Sequence, residues 1–264
     1  MTTKTLRKQL IAAVAMLLAA TIVLTGSTFA WLAKRSHAEA EEVTISAISD
    51  KPTLQISNAA AGTYATMTTL DPAANTASDL YLTIPLNLSG NLITYQGTRN
   101  DPATNTTPSA ATSPATLLWG TAMSTDPTEV QAANIPWDVT ASLNEYALVT
   151  HVYVRTAANT QGQHLRMIEP SQINTGTNSI ANAVRILAVA ADGKWMLYNK
   201  RTNAVTSCTE GYLLENICEE GVGAGYDDIT VYVYFDGTDA ISYTNAAADL
   251  SAVTSNLLFT CNLP

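Results

Sequence analysis

The sequence predicts an all-β protein, an antiparallel jelly-roll-like β-sandwich preceded by a signal peptide, and three observations carry that prediction. Short apolar runs alternate with period 2 or stand as compact blocks rich in β-branched and aromatic residues. Asp-Gly dipeptides and prolines punctuate these runs at turn positions. After residue 42 no sustained 3.6-residue periodicity is found.

Taken in order, residues 43–47 open the pattern, with Val43, Ile45 and Ala47 on one face. Residues 80–88 alternate over nine positions, and Pro85, which lacks an N–H, assigns that strand to a sheet edge or a bulge. Residues 98–114 are rich in Thr, Asn, Ser, Ala and Pro and too long for a tight turn. They predict an exposed, mobile excursion within one domain, with a domain boundary there as the alternative. Residues 145–155 hold Leu148, Val149, Val152, Tyr153 and Val154. Residues 183–189, the turn Asp192-Gly193 and residues 195–198 read as a hairpin. Residues 229–235, Asp236-Gly237 and residues 240–243 read as a second, and residues 253–260 as a closing strand. The resulting organisation is a leader over 1–30, a tail over 31–42 and a single sandwich domain over 43–264, with a low-complexity loop at 98–114.

Charge narrows the function. Only 13% of the 264 residues are charged, about half the ~25% usual for globular domains. With 13 Lys plus Arg against 22 Asp plus Glu, the net charge is -9, and there is little material for a phosphate-tracking basic face, so nucleic acid is not an expected partner.

The amino-terminal residues carry an address. Lys4, Arg7 and Lys8 precede the uncharged apolar residues 10–24, and Thr28 and Ala30 are small residues suited to cleavage between Ala30 and Trp31. That is the pattern of a secretory signal peptide, and it places the mature chain outside the cell or on its surface. The 15-residue run falls short of the ~20 residues of a spanning helix. Continuing through Leu32 lengthens it, which keeps an uncleaved membrane anchor as the alternative and the only expected route to a membrane. Removing the leader leaves 10 basic against 22 acidic residues, a net charge of -12.

The run Thr25-Gly26-Ser27-Thr28-Phe29-Ala30-Trp31 resembles the junction of signal peptides cut by the SipW-type peptidase of Gram-positive bacteria. Its clients include the TasA and camelysin proteins of biofilm matrix fibres. Residues 229–239 and the stretch from Leu250 to Cys261 are similar to the carboxy-terminal strands of proteins bearing that signal type. The resemblance implies a jelly roll and assembly into fibres.

Catalytic constellations are sparse. Camelysins were named as metalloproteases, yet none of His37, His151 and His164 stands in a His-Glu-x-x-His spacing. His151, beside Val149 and Val152, reads as a satisfied or edge-exposed strand residue. No Gly-x-Ser-x-Gly elbow occurs. Residues 221–225, Gly-Val-Gly-Ala-Gly, lack the Lys-Ser/Thr of a phosphate loop and read as a flexible connection. Asp227, Asp228, Asp236 and Asp239 are calcium candidates by their oxygen ligands, set against a hairpin turn with solvated carboxylates. Of three cysteines, Cys208 and Cys218 are the expected disulfide in an oxidising compartment, and Cys218 with Cys261 is the competing pair.

These readings converge on a non-enzymatic structural subunit without a cofactor, assembling with copies of itself into surface or matrix fibres by donor-strand exchange. Trp31, Leu32, Val43, Ile45 and Ala47 are the self-association candidates. The alternative is a monomeric or membrane-anchored adhesin with a glycan or matrix partner, for which Trp119, Trp137 and Trp195 are available, although large aromatics more often fill sandwich cores.

Overall fold

A computed structural model describes residues 37–41, 44–50, 53–70, 79–81, 83–96, 105–122, 137–140, 143, 146–169, 173–174, 182–239, 250–251 and 254–263. Residues 37–264 form one compact unit. Among the described residues there is no α-helix, and the chain is an all-β sandwich. Strands are numbered in chain order.

The central sheet runs β3 (Leu54–Ser57), β13 (Ala147–Thr156), β20 (Asp227–Phe235), β16 (Val184–Ala190), β17 (Trp195–Asn199), β18 (Ala204–Ser207), with every neighbouring pair antiparallel. The second sheet runs β4 (Met67–Leu70), β2 (Thr44–Ser49), β22 (Thr254–Asn262), β14 (Gly162–Ile168), β19 (Leu214–Ile217), with β15 (Ile173–Asn174) also on β22. Smaller groups are β6 (Ile84–Pro85), β11 (Trp119–Ala122) and β12 (Trp137–Thr140); β7 (Asn87–Leu88) with β8 (Asn91–Leu92); β9 (Tyr95–Gln96) with β10 (Asn105–Thr106); and β1 (His37–Glu41) between β5 (Asp79–Tyr81) and β21 (Leu250–Ser251).

Side-chain parity builds two cores on the central sheet. Ile186 and Ala188 of β16, Val231 and Val233 of β20, and Val152 and Val154 of β13 face the second sheet, where they share a cluster with Ala47, Leu70, Leu165, Leu257 and Phe259. The alternate residues Leu187, Val189, Trp195, Tyr232 and Tyr234 form another cluster beneath Leu88, Ala111, Leu117 and Trp119. Trp119 meets Tyr234 edge-on at 5.1 Å and Tyr232 at 5.2 Å. The molecule is therefore locally three layers deep, and β16 is buried along its whole length. Each large side chain so buried contributes roughly 1.5–3 kcal/mol against exposure.

The cover is pinned by polar groups. Buried Asn87 donates through Nδ2 to the carbonyls of Ser109 and Thr116, at 3.0 and 2.9 Å, and accepts the Leu118 N–H at 2.7 Å. Trp195 Nε1 donates to the Ser89 carbonyl at 2.9 Å. Low-complexity residues 105–114 are thus partly built into the fold, with Ala111 in the core, where an exposed excursion was expected. The physical reason is that the small side chain of Ala111 fits over an already apolar sheet face.

The hairpin over β16 and β17 turns at Asp192-Gly193 as expected, with Gly193 at φ +83°. A Cβ there would lie 2.5 Å from the Ala111 carbonyl oxygen, so glycine is required by both conformation and space. The expected second arm of the next hairpin, residues 240–243, lies outside the described residues.

Two expectations are corrected. Residues 80–88 do not form one strand: β6, at the edge of its sheet, and β7 are separate two-residue pieces, consistent with the donor missing at Pro85. The sheets are also not wholly antiparallel, because β2 pairs with β22 in parallel, and so does β1 with β21.

Candidate functional site

Residues 37–41 of the expected tail form β1, paired with β5 and β21, and the next strand, β2, occupies an interior slot. β2 is hydrogen-bonded on one side to β22, in the register Ala47 to Leu257, and on the other to β4, in the register Ala47 to Thr68. Ala47 is fully buried in the first core, and the Ile45 backbone pairs with Leu70 and Ser255. In the monomer, then, residues 44–49 are an intramolecular strand. Ala30, Trp31, Leu32 and Val43 lie outside the described residues.

The four calcium candidates are not brought together. Asp227 and Asp228 begin β20 and Asp236 follows its end, so Asp228 and Asp236 are about 26 Å apart along an extended strand. Asp236 and Asp239 instead surround the buried guanidinium of Arg185, at 3.1 and 2.9 Å, and Asp239 also pairs with Arg201. At the other end Asp227 Oδ2 accepts the Cys218 N–H at 2.6 Å, and burial pushes its carboxyl above the usual range. No group of three or more His, Cys, Asp or Glu fit to hold a metal occurs among the described residues.

The expected disulfide is not formed. Cys208 is a buried thiol in the second core, its Sγ 3.6 Å from the Tyr212 carbonyl, whereas the Cys218 Sγ lies 3.2 Å from the Val222 carbonyl. Cys208 follows β18 of the central sheet and Cys218 follows β19 of the second, so the short sequence loop between them spans two layers.

A different constellation emerges on the outer face of the central sheet, beyond the reach of the Trp119 cover. There β13 presents His151, Tyr153 and Arg155, and their cross-strand neighbours include Asp228 and Gln55. His151 Nδ1 lies 2.9 Å from Asp228 Oδ1, and its ring stacks beside Tyr153. Tyr153 meets Tyr226 edge-on at 5.3 Å and 89°. Arg155 lies 4.0 Å above the centre of the Tyr64 ring, donates from Nε to Gln55 Oε1 at 2.8 Å, and reaches Glu220 Oε1 at 2.7 Å. Burial raises the Tyr64 and Tyr153 phenols further above their ordinary range, so both remain hydroxyl donors at neutral pH.

His151 is an exposed, partnered strand residue, as its setting in the sequence suggested. Trp119 and Trp195 are core residues. The tyrosine face had no motif to announce it, since Tyr64, Tyr153 and Tyr226 come from three separate segments. The available signal was the alternation of His151, Tyr153 and Arg155 with Val152 and Val154 along one strand. No family model, curated protein or solved structure matches the chain.

Proposed function

We propose that the chain is a secreted, non-enzymatic structural subunit that assembles with copies of itself into cell-surface or matrix fibres. The observation that carries this reading is the position of β2, the second strand of the chain, lying parallel to β22 in the interior of a sheet. Such a strand can be withdrawn and replaced by the equivalent strand of a neighbour, because the slot between β22 and β4 offers the same backbone partners to either copy. Exchange conserves the contacts made by Ala47, so the balance between monomer and fibre rests on chain entropy, on the pairing of β1 with β5 and β21, and on contacts that residues 31–36 add between subunits. The signal-like leader supports export.

The test uses the register pair Ser46 and Asn256. In a chain starting at Trp31 and carrying Cys218→Ser, Ser46→Cys with Asn256→Cys is oxidised before or after assembly. Fibres formed first should yield covalent ladders on non-reducing gels, and monomers oxidised first should be locked and unable to polymerise in electron micrographs. Fibres that contain only intramolecular bonds, or purified protein that stays monomeric, would overturn strand exchange.

A further inference from the structure

The open half of the central sheet's outer face is assembled before any partner arrives. Tyr153 and Tyr226 form a right-angled corner. Beside it, Tyr64, Arg155, Gln55 and Glu220 hold one another through ring stacking and two hydrogen bonds below 3 Å. Side chains fixed in this way lose little further rotamer freedom on binding. Polar reach nevertheless remains, because the side chains of His151, Asp228 and Glu220 are 45%, 41% and 41% exposed.

Charge decides what fits. Glu220 and Asp228 stand at this corner, each about two-fifths exposed, while the cation Arg155 is already paired with Glu220. An anionic polymer would meet the Asp228 carboxylate and find the Arg155 guanidinium already engaged by Glu220. A purely apolar partner would strip water from carboxylates without replacing their hydrogen bonds. The chemistry that uses both features is that of a neutral sugar chain, whose C–H faces lie on phenol rings while its hydroxyls donate to carboxylates and accept from imidazole or phenol. The adjoining loop allows a chain to approach, since Gly221, Gly223 and Gly225 all have positive φ and a Cβ at Gly221 or Gly223 would meet open space.

We infer that Tyr64, Tyr153 and Tyr226, with His151, Asp228 and Glu220, form a binding site for neutral polysaccharide. The site lies on the sheet opposite the one that holds β2, so it goes beyond the assembly reading and does not depend on it. On a fibre, the same site repeated in each subunit would bind a long glycan with avidity.

The experiment titrates the chain starting at Trp31, held monomeric by the Ser46–Asn256 crosslink, with neutral hexasaccharides of glucose, mannose and N-acetylglucosamine, using polygalacturonate as the anionic control. Calorimetry should detect at least one neutral sugar. Tyr153→Ala and Tyr226→Ala should weaken that binding about tenfold or more, and Thr206→Ala, on the far edge strand, should not. Tyr153→Phe preserves the ring and should retain most of the affinity, which separates lost stacking from misfolding; circular dichroism melting checks each variant. Failure to bind any of the three sugars, preference for polygalacturonate, or affinity indifferent to both tyrosines would overturn the site. Sugar binding without fibres would sink the assembly reading alone, and fibres without sugar binding would sink this one alone.

Discussion

β13 and β20 run through two regions of a single sheet face that have opposite fates. At one end Tyr232 and Tyr234 lie beneath Trp119, and burial pushes the Tyr232 phenol up to about 12. At the other, Tyr153 and Tyr226 stand half-buried among carboxylates and a guanidinium. The same residue type on one sheet is core in one region and half-exposed surface in the other. What differs is whether the segment around Leu88, Ala111, Leu117 and Trp119 reaches over it.

Breaking the covered half should have the largest effect. Trp119→Ala removes the side chain on which both tyrosines pack and should cost about 4 kcal/mol in denaturant unfolding. Trp119→Phe should cost much less, because the buried indole Nε1 has no hydrogen-bond partner and its loss leaves no acceptor unpaired. By contrast, Asp228→Asn in the open half disrupts an exposed pair and should move stability by less than about 1 kcal/mol. Similar losses from Trp119→Ala and Asp228→Asn would erase the distinction between the two halves.

A smaller perturbation tests how the cover is fastened. Gly193→Ala should cost about 2 kcal/mol from the left-handed backbone. Its clash with the carbonyl of Ala111 should also raise amide exchange across residues 109–118. Exchange confined to the hairpin itself would show that the turn and the cover are independent.

The smallest expected effect depends on pH and sharpens the boundary of the open region. Burial raises the Asp227 carboxyl, so between its unfolded value, about 3.9, and its higher folded value the native state binds more protons than the unfolded chain. Stability from this group therefore falls as pH rises through that window. Asp227→Asn keeps an oxygen to accept the Cys218 N–H and should be more stable than the parent at pH 7, with the advantage disappearing below about pH 4. A constant difference across that range would assign the effect to something other than ionisation.

Much of the fold was legible in local pattern. The hairpin on Asp192-Gly193 follows from two β-rich runs flanking a residue pair suited to a positive φ. The edge position of Pro85 follows from its missing donor. The double burial of β16 is a finding of the structure; Val-Arg-Ile-Leu-Ala-Val-Ala does not alternate, a local signal that the hairpin reading left unused.

All-β character, acidity and poverty in charge are readable along the chain, because periodicity and turn chemistry are properties of neighbouring residues and composition is a simple count. Packing alone set β2 parallel to β22, placed Asp236 and Asp239 around Arg185 instead of a metal ion, and brought three distant tyrosines to one surface. Those outcomes depend on which layers stack and in what register. Register is set by the sum of many buried contacts between segments as far apart as Ala47 and Leu257, and no local window of sequence contains that sum.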